Sequence, residues 1–298
     1  MKLIHPRNDF ACNKKKIGSG SAKGLLIRFL ENRSRNRLCC LALCGVLLTA
    51  CQNVPLTGRS QLSLVSSSQT MATAAQNYKE FLNTSHVLQN TPDAQMVQRV
   101  GRRIQRAVET YMAMHQLSDQ LTGYAWQFAL LDNPHTANAF CLPGGKIVVY
   151  TGMLAFTRNE EGLAAILGHE VAHAVAQHSS ERKSQRLLTS LASIAIPAPL
   201  GEAATFGMLL PYSRLHESEA DRMGMHFMAM AGYNPEKAVE VWSRFKNDAE
   251  REKRAQSEFF STHPSDDTRI AQNQATLLEV WPIYRAAIAQ NPENPPNQ

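Results

Sequence analysis

At 298 residues the chain is long enough for one large domain or two small ones. Its formal net charge of +6 is concentrated at the front, where residues 1–50 carry ten Lys/Arg against two acids; from Cys51 onward 21 basic residues face 23 acidic ones. That later part is near −2 and has no compact Lys/Arg cluster with interleaved aromatics, which excludes a general case for nucleic-acid binding.

Residues 1–50 read as a targeting segment, with a basic region to Arg37 and then a twelve-residue apolar stretch from Leu38 to Thr49. Twelve residues are too few for a comfortable membrane span. Leu48-Thr49-Ala50-Cys51 resembles the lipobox of bacterial lipoproteins. That resemblance implies cleavage before Cys51 and lipidation of its thiol, and Gln52, where an Asp would signal retention, favours the outer membrane over the inner. Five of the six cysteines (Cys12, Cys39, Cys40, Cys44, Cys51) lie in this leader or at its cleavage point. Only Cys141 remains afterwards, so no intrachain disulfide framework is expected, and Cys141 itself reads as a small buried hydrophobe.

Residues 51–68, polar and Ser-rich with a turn at Pro55-Leu56-Thr57-Gly58, read as a lipid-anchored tether. A folded domain is expected over 69–290. Amphipathic periodicity predicts helices over 69–83 and 93–115. In the second, Met96, Val97, Val100, Ile104, Ala107, Val108 and Tyr111 make an apolar stripe, opposite a solvated face bearing Arg102, Arg103 and Arg106. Trp126–Leu131 and Lys146–Tyr150 are strand candidates, with a turn-rich approach from Asn138 to Gly145. Helices follow over 158–182, 214–231, 235–255 and 265–289. Residues 187–212 are small and apolar, but Pro197, Pro199, Glu202 and Pro211 interrupt them, so a buried or site-covering helical hairpin is expected there. The Pro/Asn-rich tail 291–298 reads as disordered. The fold class is α+β, predominantly helical.

The chemistry centres on His169-Glu170-Val171-Ala172-His173. Residues four apart on a helix share a face, so both imidazoles can hold one Zn²⁺, with Glu170 near enough to act on water there. A catalytic zinc needs a third protein ligand and an open fourth position. Glu217, 44 residues after His173 on the helix predicted next, is the best candidate. Asp221, one turn later, can accept a hydrogen bond from a ligand imidazole and fix its tautomer. Glu219 reads as a surface acid unless that helix is rotated to offer it to the metal instead. His178 is expected on the surface, His216 facing away from the metal, and His135 in a solvated turn.

His169-Glu-x-x-His173 followed by Glu217-x-x-Ala-Asp221 resembles the gluzincin metalloendopeptidases of the CAAX-prenyl-protease and HtpX type, in their soluble, lipoprotein-anchored bacterial branch. Asn138-Ala139-Phe140 with Pro143-Gly144-Gly145, Tyr212-Ser213-Arg214, Ala231-Gly232-Tyr233-Asn234-Pro235 and Thr262-His263-Pro264-Ser265 with Arg269 extend the match over roughly 70–285. The resemblance implies a zincin-like domain with a small sheet beside the zinc helix, one Zn²⁺ per chain, and hydrolysis of peptide bonds with Glu170 as general base. It places His263 as a donor to the oxyanion, and physics equally allows His263 to occupy the fourth zinc position at rest. Asn138, Ala139 and Phe140 are expected to present an edge strand that pairs with substrate backbone, which selects extended polypeptide over any particular side chain. Unfolded or misassembled envelope proteins in the bacterial periplasm are the substrate class implied. The rival reading is a chaperone-like periplasmic lipoprotein whose zinc site is latent or structural.

Overall fold

The computed structural model describes residues 51–195, 200–252, 259, 262–263 and 266–290. The expectations for the leader 1–50 and the tail 291–298 lie outside the described residues.

Strands β1 (Cys51–Asn53) and β2 (Ser60–Leu62) form an antiparallel hairpin. Helices α1 (Ser67–Asn83) and α2 (Pro92–Met114) follow, with the short strand β3 (Val87–Leu88) between them. Three strands come next: β4 (Gln127–Leu131), β5 (Ala139–Leu142) and β6 (Lys146–Tyr150). The rest is helical: α3 (Thr151–Thr157), α4 (Glu160–Val175), α5 (His178–Ala195), α6 (Leu200–Met230), α7 (Glu236–Glu252) and α8 (Asp267–Gln290). The fold is predominantly helical α+β. Among the described residues, no helix is long and apolar enough to cross a membrane.

Local chemistry explains the element starts. Ser66 and Thr91 each cap a helix by accepting from a backbone N–H three residues on, and Pro92 fills the first turn of α2, where its missing N–H costs nothing. Val97, Val100, Ile104, Ala107 and Val108 of the α2 stripe are buried, and Met96 and Tyr111 are half-buried against the core. Arg103 departs from the solvated face: its guanidinium donates to the Ala231 carbonyl and lies 4.5 Å over the Tyr233 ring. The four-stranded sheet has the order β3-β4-β6-β5. Its central pair β4 and β6 is parallel and buried on both faces, while β5 runs antiparallel to β6 on the edge, with Ala139 opposite Val149. Gly144 and Gly145, both at positive φ, turn the chain from β5 into β6.

Helix α4 begins at Asn159, whose side chain accepts from the Gly162 N–H, and all its residues except His173 are buried. It crosses α6 at a pair of glycines. A Cβ on Gly168 would meet the Gly224 carbonyl oxygen at 2.8 Å, and one on Gly224 would meet the His169 nitrogen at 2.7 Å. This backbone-to-backbone approach brings Glu217 and Asp221 beside His169.

Two expectations are corrected. Residues 51–62 are folded, not a loose tether: Val54 joins the main core, and Arg59 reaches acids on α5 and α6. The single helix expected over 158–182 is two. Gln177, at φ 54°, ends α4 in the left-handed region and α5 restarts at His178. Of the predicted 187–212 hairpin, residues 187–195 lie in α5 and 200–212 in α6, and 196–199 lie outside the described residues.

Candidate metal centre

His169 and His173, one turn apart on α4, point their Nε2 atoms at each other at 3.0 Å. Glu217 from α6 closes the triangle, with carboxylate oxygens 3.3 Å from His169 Nε2 and 3.4 Å from His173 Nε2. His263 completes a four-donor group whose ligand atoms all lie within 4.8 Å of one another. Its Nδ1 is 2.9 Å from Glu217 Oε2 and 3.3 Å from His169 Nε2.

These separations test the fit of a zinc ion. Donors at bond lengths of about 2.05 Å on a tetrahedron lie about 3.3 Å apart, and the three separations among His169, His173 and Glu217 are 3.0, 3.3 and 3.4 Å. The donor set of imidazoles plus carboxylate also suits zinc.

Burial pushes the His173 imidazole well below its usual range, which favours the neutral form a ligand needs. Burial opposes ionisation of Glu217, but His173, His169 and His263 outweigh it and hold the carboxylate far below its ordinary range. His169 is also opposed by burial, yet Asp221 and Glu217 raise it to about 9. Two buried carboxylates beside one imidazole make an anionic cradle for a cation.

Glu170 sits beside this group. Burial raises its pKa, and one of its oxygens, Oε1, is buried without a hydrogen bond, 3.4 Å from His263 Nε2. The Cys141 backbone N–H on β5 faces its carboxylate, so the sheet edge and the acid are neighbours. Asn138 and Ala139 are buried and Phe140 half-buried; among the described strands, β5 pairs only with β6. Cys141 is half-buried and packs against the core.

Asp221 Oδ1 lies 2.8 Å from His169 Nδ1. The carboxylate is gripped from α8 by a two-point contact with Arg269, and Asn273 adds a third donor. Arg269 also reaches Glu217 at 3.3 Å and stacks over Trp242 at 4.5 Å. Its part was legible only as a matched motif position, since no spacing links residue 269 to 221.

His135 is exposed as expected, but His178, expected at the surface, is not. His178 is fully buried, with Nδ1 2.8 Å from His173 Nδ1 and Nε2 3.0 Å from Glu219 Oε2. His216 faces away from the metal group as expected, but it too is buried, stacked on His178 at 4.3 Å and 2.9 Å from Glu181 Oε2. Glu219 is buried and outside the donor group, so it is neither a surface acid nor a rival ligand. Arg59, from the β1–β2 hairpin, makes two-point contacts with both Glu181 and Glu219, and Thr57 adds a hydroxyl donor to Glu219. Burial opposes both carboxylates, but His216 and Arg59 hold Glu181 near 2, and His178, Arg59 and Thr57 hold Glu219 near 2. The helix break at Gln177 hid this cluster, because a continuous helix would have carried His178 to another face.

Known proteins share this arrangement's sequence. The profile of Peptidase family M48 matches residues 98–276, from α2 into α8, and so takes in all four donors. The mitochondrial metalloendopeptidase OMA1 of Schizosaccharomyces pombe is 34% identical over 241 residues, 78% of this chain and 68% of that protein. The mitochondrial metalloendopeptidase OMA1 of Saccharomyces cerevisiae is 33% identical over 174 residues, 55% of this chain and 50% of that protein. The β-barrel assembly-enhancing protease of Escherichia coli K12 is 26% identical over 175 residues, 53% of this chain and 36% of that protein. The chain thus spans about two thirds of the first relative and half or less of the other two. It belongs to peptidase family M48 and is a zinc metalloendopeptidase of that family.

Proposed function

We propose that this chain cleaves extended segments of unfolded or misassembled cell-envelope proteins, from a lipid anchor at Cys51 on the periplasmic face of a bacterial outer membrane. The observation that carries the catalytic part is the convergence of His169, His173 and Glu217 at tetrahedral spacing beside a buried Glu170 whose Oε1 accepts no hydrogen bond and lies 3.4 Å from His263 Nε2. His169, His173 and Glu217 would hold the zinc, which when bound would supply Lewis acidity toward water and the scissile carbonyl. Glu170 takes the proton of the attacking water and returns it to the leaving amine. Burial suits it to this work by raising its pKa toward neutrality. The β5 edge at Ala139 and Phe140, continued from Asn138, pairs with substrate backbone and so lays an extended chain beside Glu170.

His263 stands among the donors, so the resting site is closed by its imidazole. When it moves aside for substrate, the same ring is placed to donate to the oxyanion. The cellular address is supported by Leu48-Thr49-Ala50-Cys51 and by the name of the Escherichia coli relative, a β-barrel assembly-enhancing protease.

The test measures zinc content and casein degradation for wild type, Glu170→Gln and His263→Ala. Zinc retained with degradation lost in Glu170→Gln supports the general base, and undiminished degradation removes it. Faster degradation in His263→Ala supports the closed resting site, whereas a fall of about 10²–10³-fold leaves only the oxyanion role. Unchanged degradation removes both roles. Membrane fractionation of Cys51→Ala tests the anchor: protein that stays with the membrane sinks it.

A further inference from the structure

Each zinc-facing imidazole needs its other nitrogen held, because the hydrogen bond made there fixes ring orientation and tautomer. For His169 a single carboxylate, Asp221, does this. His173 has no carboxylate at that position. Its Nδ1 meets His178 Nδ1 at 2.8 Å.

The tautomers follow from hydrogen-bond logic, on the reading above that His173 offers Nε2 to zinc. A neutral imidazole using Nε2 as ligand carries its proton on Nδ1. His178 Nδ1 must then accept, since two N–H groups cannot share a 2.8 Å contact. The proton of neutral His178 is therefore on Nε2, which points at Glu219 Oε2 at 3.0 Å. Donor and acceptor alternate without a conflict from His173 to Glu219. Glu219 is fixed in turn by Arg59 Nε at 3.0 Å, Arg59 Nη2 at 2.7 Å and the Thr57 hydroxyl.

We propose that His178, Glu219 and Arg59 form a positioning relay that orients His173 for zinc, so the β1–β2 hairpin that begins at Cys51 is part of the metal site's support. The geometry has a consequence for the chain. Arg59, with the Thr57 hydroxyl beside it, is where the first folded segment after residue 50 grips the site, and it braces one ligand and not the other. Zinc affinity therefore depends on whether residues 51–62 are docked.

The experiment measures the zinc dissociation constant by competition with a chromogenic chelator, and the melting temperature of the zinc-free protein, for full-length variants. His178→Ala is expected to weaken zinc about 10–100-fold. His178→Asn, which keeps an acceptor facing His173, recovers part of that loss. Arg59→Met weakens zinc and Arg59→Lys recovers part. The double variant His178→Ala with Arg59→Met binds no more weakly than His178→Ala alone, because Arg59 acts through His178. Arg99→Met, which breaks a buried-acid pair away from the relay, lowers the melting temperature and leaves zinc affinity alone. Wild-type affinity in His178→Ala and Arg59→Met, with circular dichroism showing folded protein, overturns the relay and leaves the peptidase reading standing. Losses that multiply in the double variant overturn it too. Wild-type protein that takes up no zinc instead sinks the zinc assignment, and the relay with it.

Discussion

The two ends of helix α4 both bury charge, and they use it differently. At the N-terminal end, Glu160 accepts from Arg99 and from the Tyr233 hydroxyl, and Glu161 accepts from the Asn234 backbone N–H. One turn of helix supplies further partial positive charge. Donors from other elements meet an oxygen of each acid. At the C-terminal end, His169, Glu170 and His173 are packed as tightly, but their functional atoms face one another, and Glu170 Oε1 has no hydrogen bond. Buried charge alone therefore does not mark a site. Incomplete pairing among groups whose outer atoms are firmly held does.

The largest expected effect is at the incomplete end. Glu170→Gln keeps the shape but cannot take a proton, and should lower kcat about 10²–10⁴-fold with little change in melting temperature. A large loss of stability would mean that Glu170 belongs with the structural acids. Glu160→Ala tests the opposite end. It strands the Tyr233 hydroxyl and the Arg99 guanidinium; Arg99 is 43% exposed, so solvent softens the loss to about 3 kcal/mol in denaturant unfolding. Zinc affinity should not change, and a change would dissolve the distinction between the two ends.

Glu161 sharpens the comparison through pH. Burial, partly opposed by the Asn234 N–H, raises its carboxyl to about 7 from an ordinary 4.5. The folded state thus binds the proton more tightly than the unfolded chain. Its contribution is fully present below about pH 4.5 and is lost as pH rises through about 7. Glu161→Gln should flatten that part of the stability–pH curve by on the order of 2 kcal/mol, read from chemical denaturation at several pH values. An unaltered slope would show that another group sets it. The smallest effect is expected at the exposed pair Lys237–Glu240 on α7, where Lys237→Ala should cost at most about 0.5 kcal/mol.

Much of this was legible before any coordinates. Helices α1 and α2 begin and end within two residues of the spans their apolar period predicts, because capping residues and a one-sided stripe are local signals. Strands β4 and β6 were equally plain. The break between α4 and α5 was not, since Gln177 takes a left-handed φ that sequence normally announces with glycine. Hidden with it were the burial of His178, His216 and Glu219 and the folding of residues 51–62. A Ser-rich, polar segment reads as a tether until Arg59 is seen to pair with two buried acids more than a hundred residues away.

The sequence by itself determined the donor inventory and its local spacing: two imidazoles four apart, an acid next to the first, and Glu217 and Asp221 four apart on another helix. Helical periodicity is a property of neighbouring residues, so it survives without a fold. Only the tertiary structure decided which partner braces which ligand. Gly168 against Gly224 lets α6 approach α4 closely enough to set Asp221 behind His169, and the turn at Gln177 swings His178 behind His173. Those pairings join segments 48 and more residues apart in some cases, as with Asp221 and Arg269, and no repeat of 3.6 residues can encode a contact across that separation.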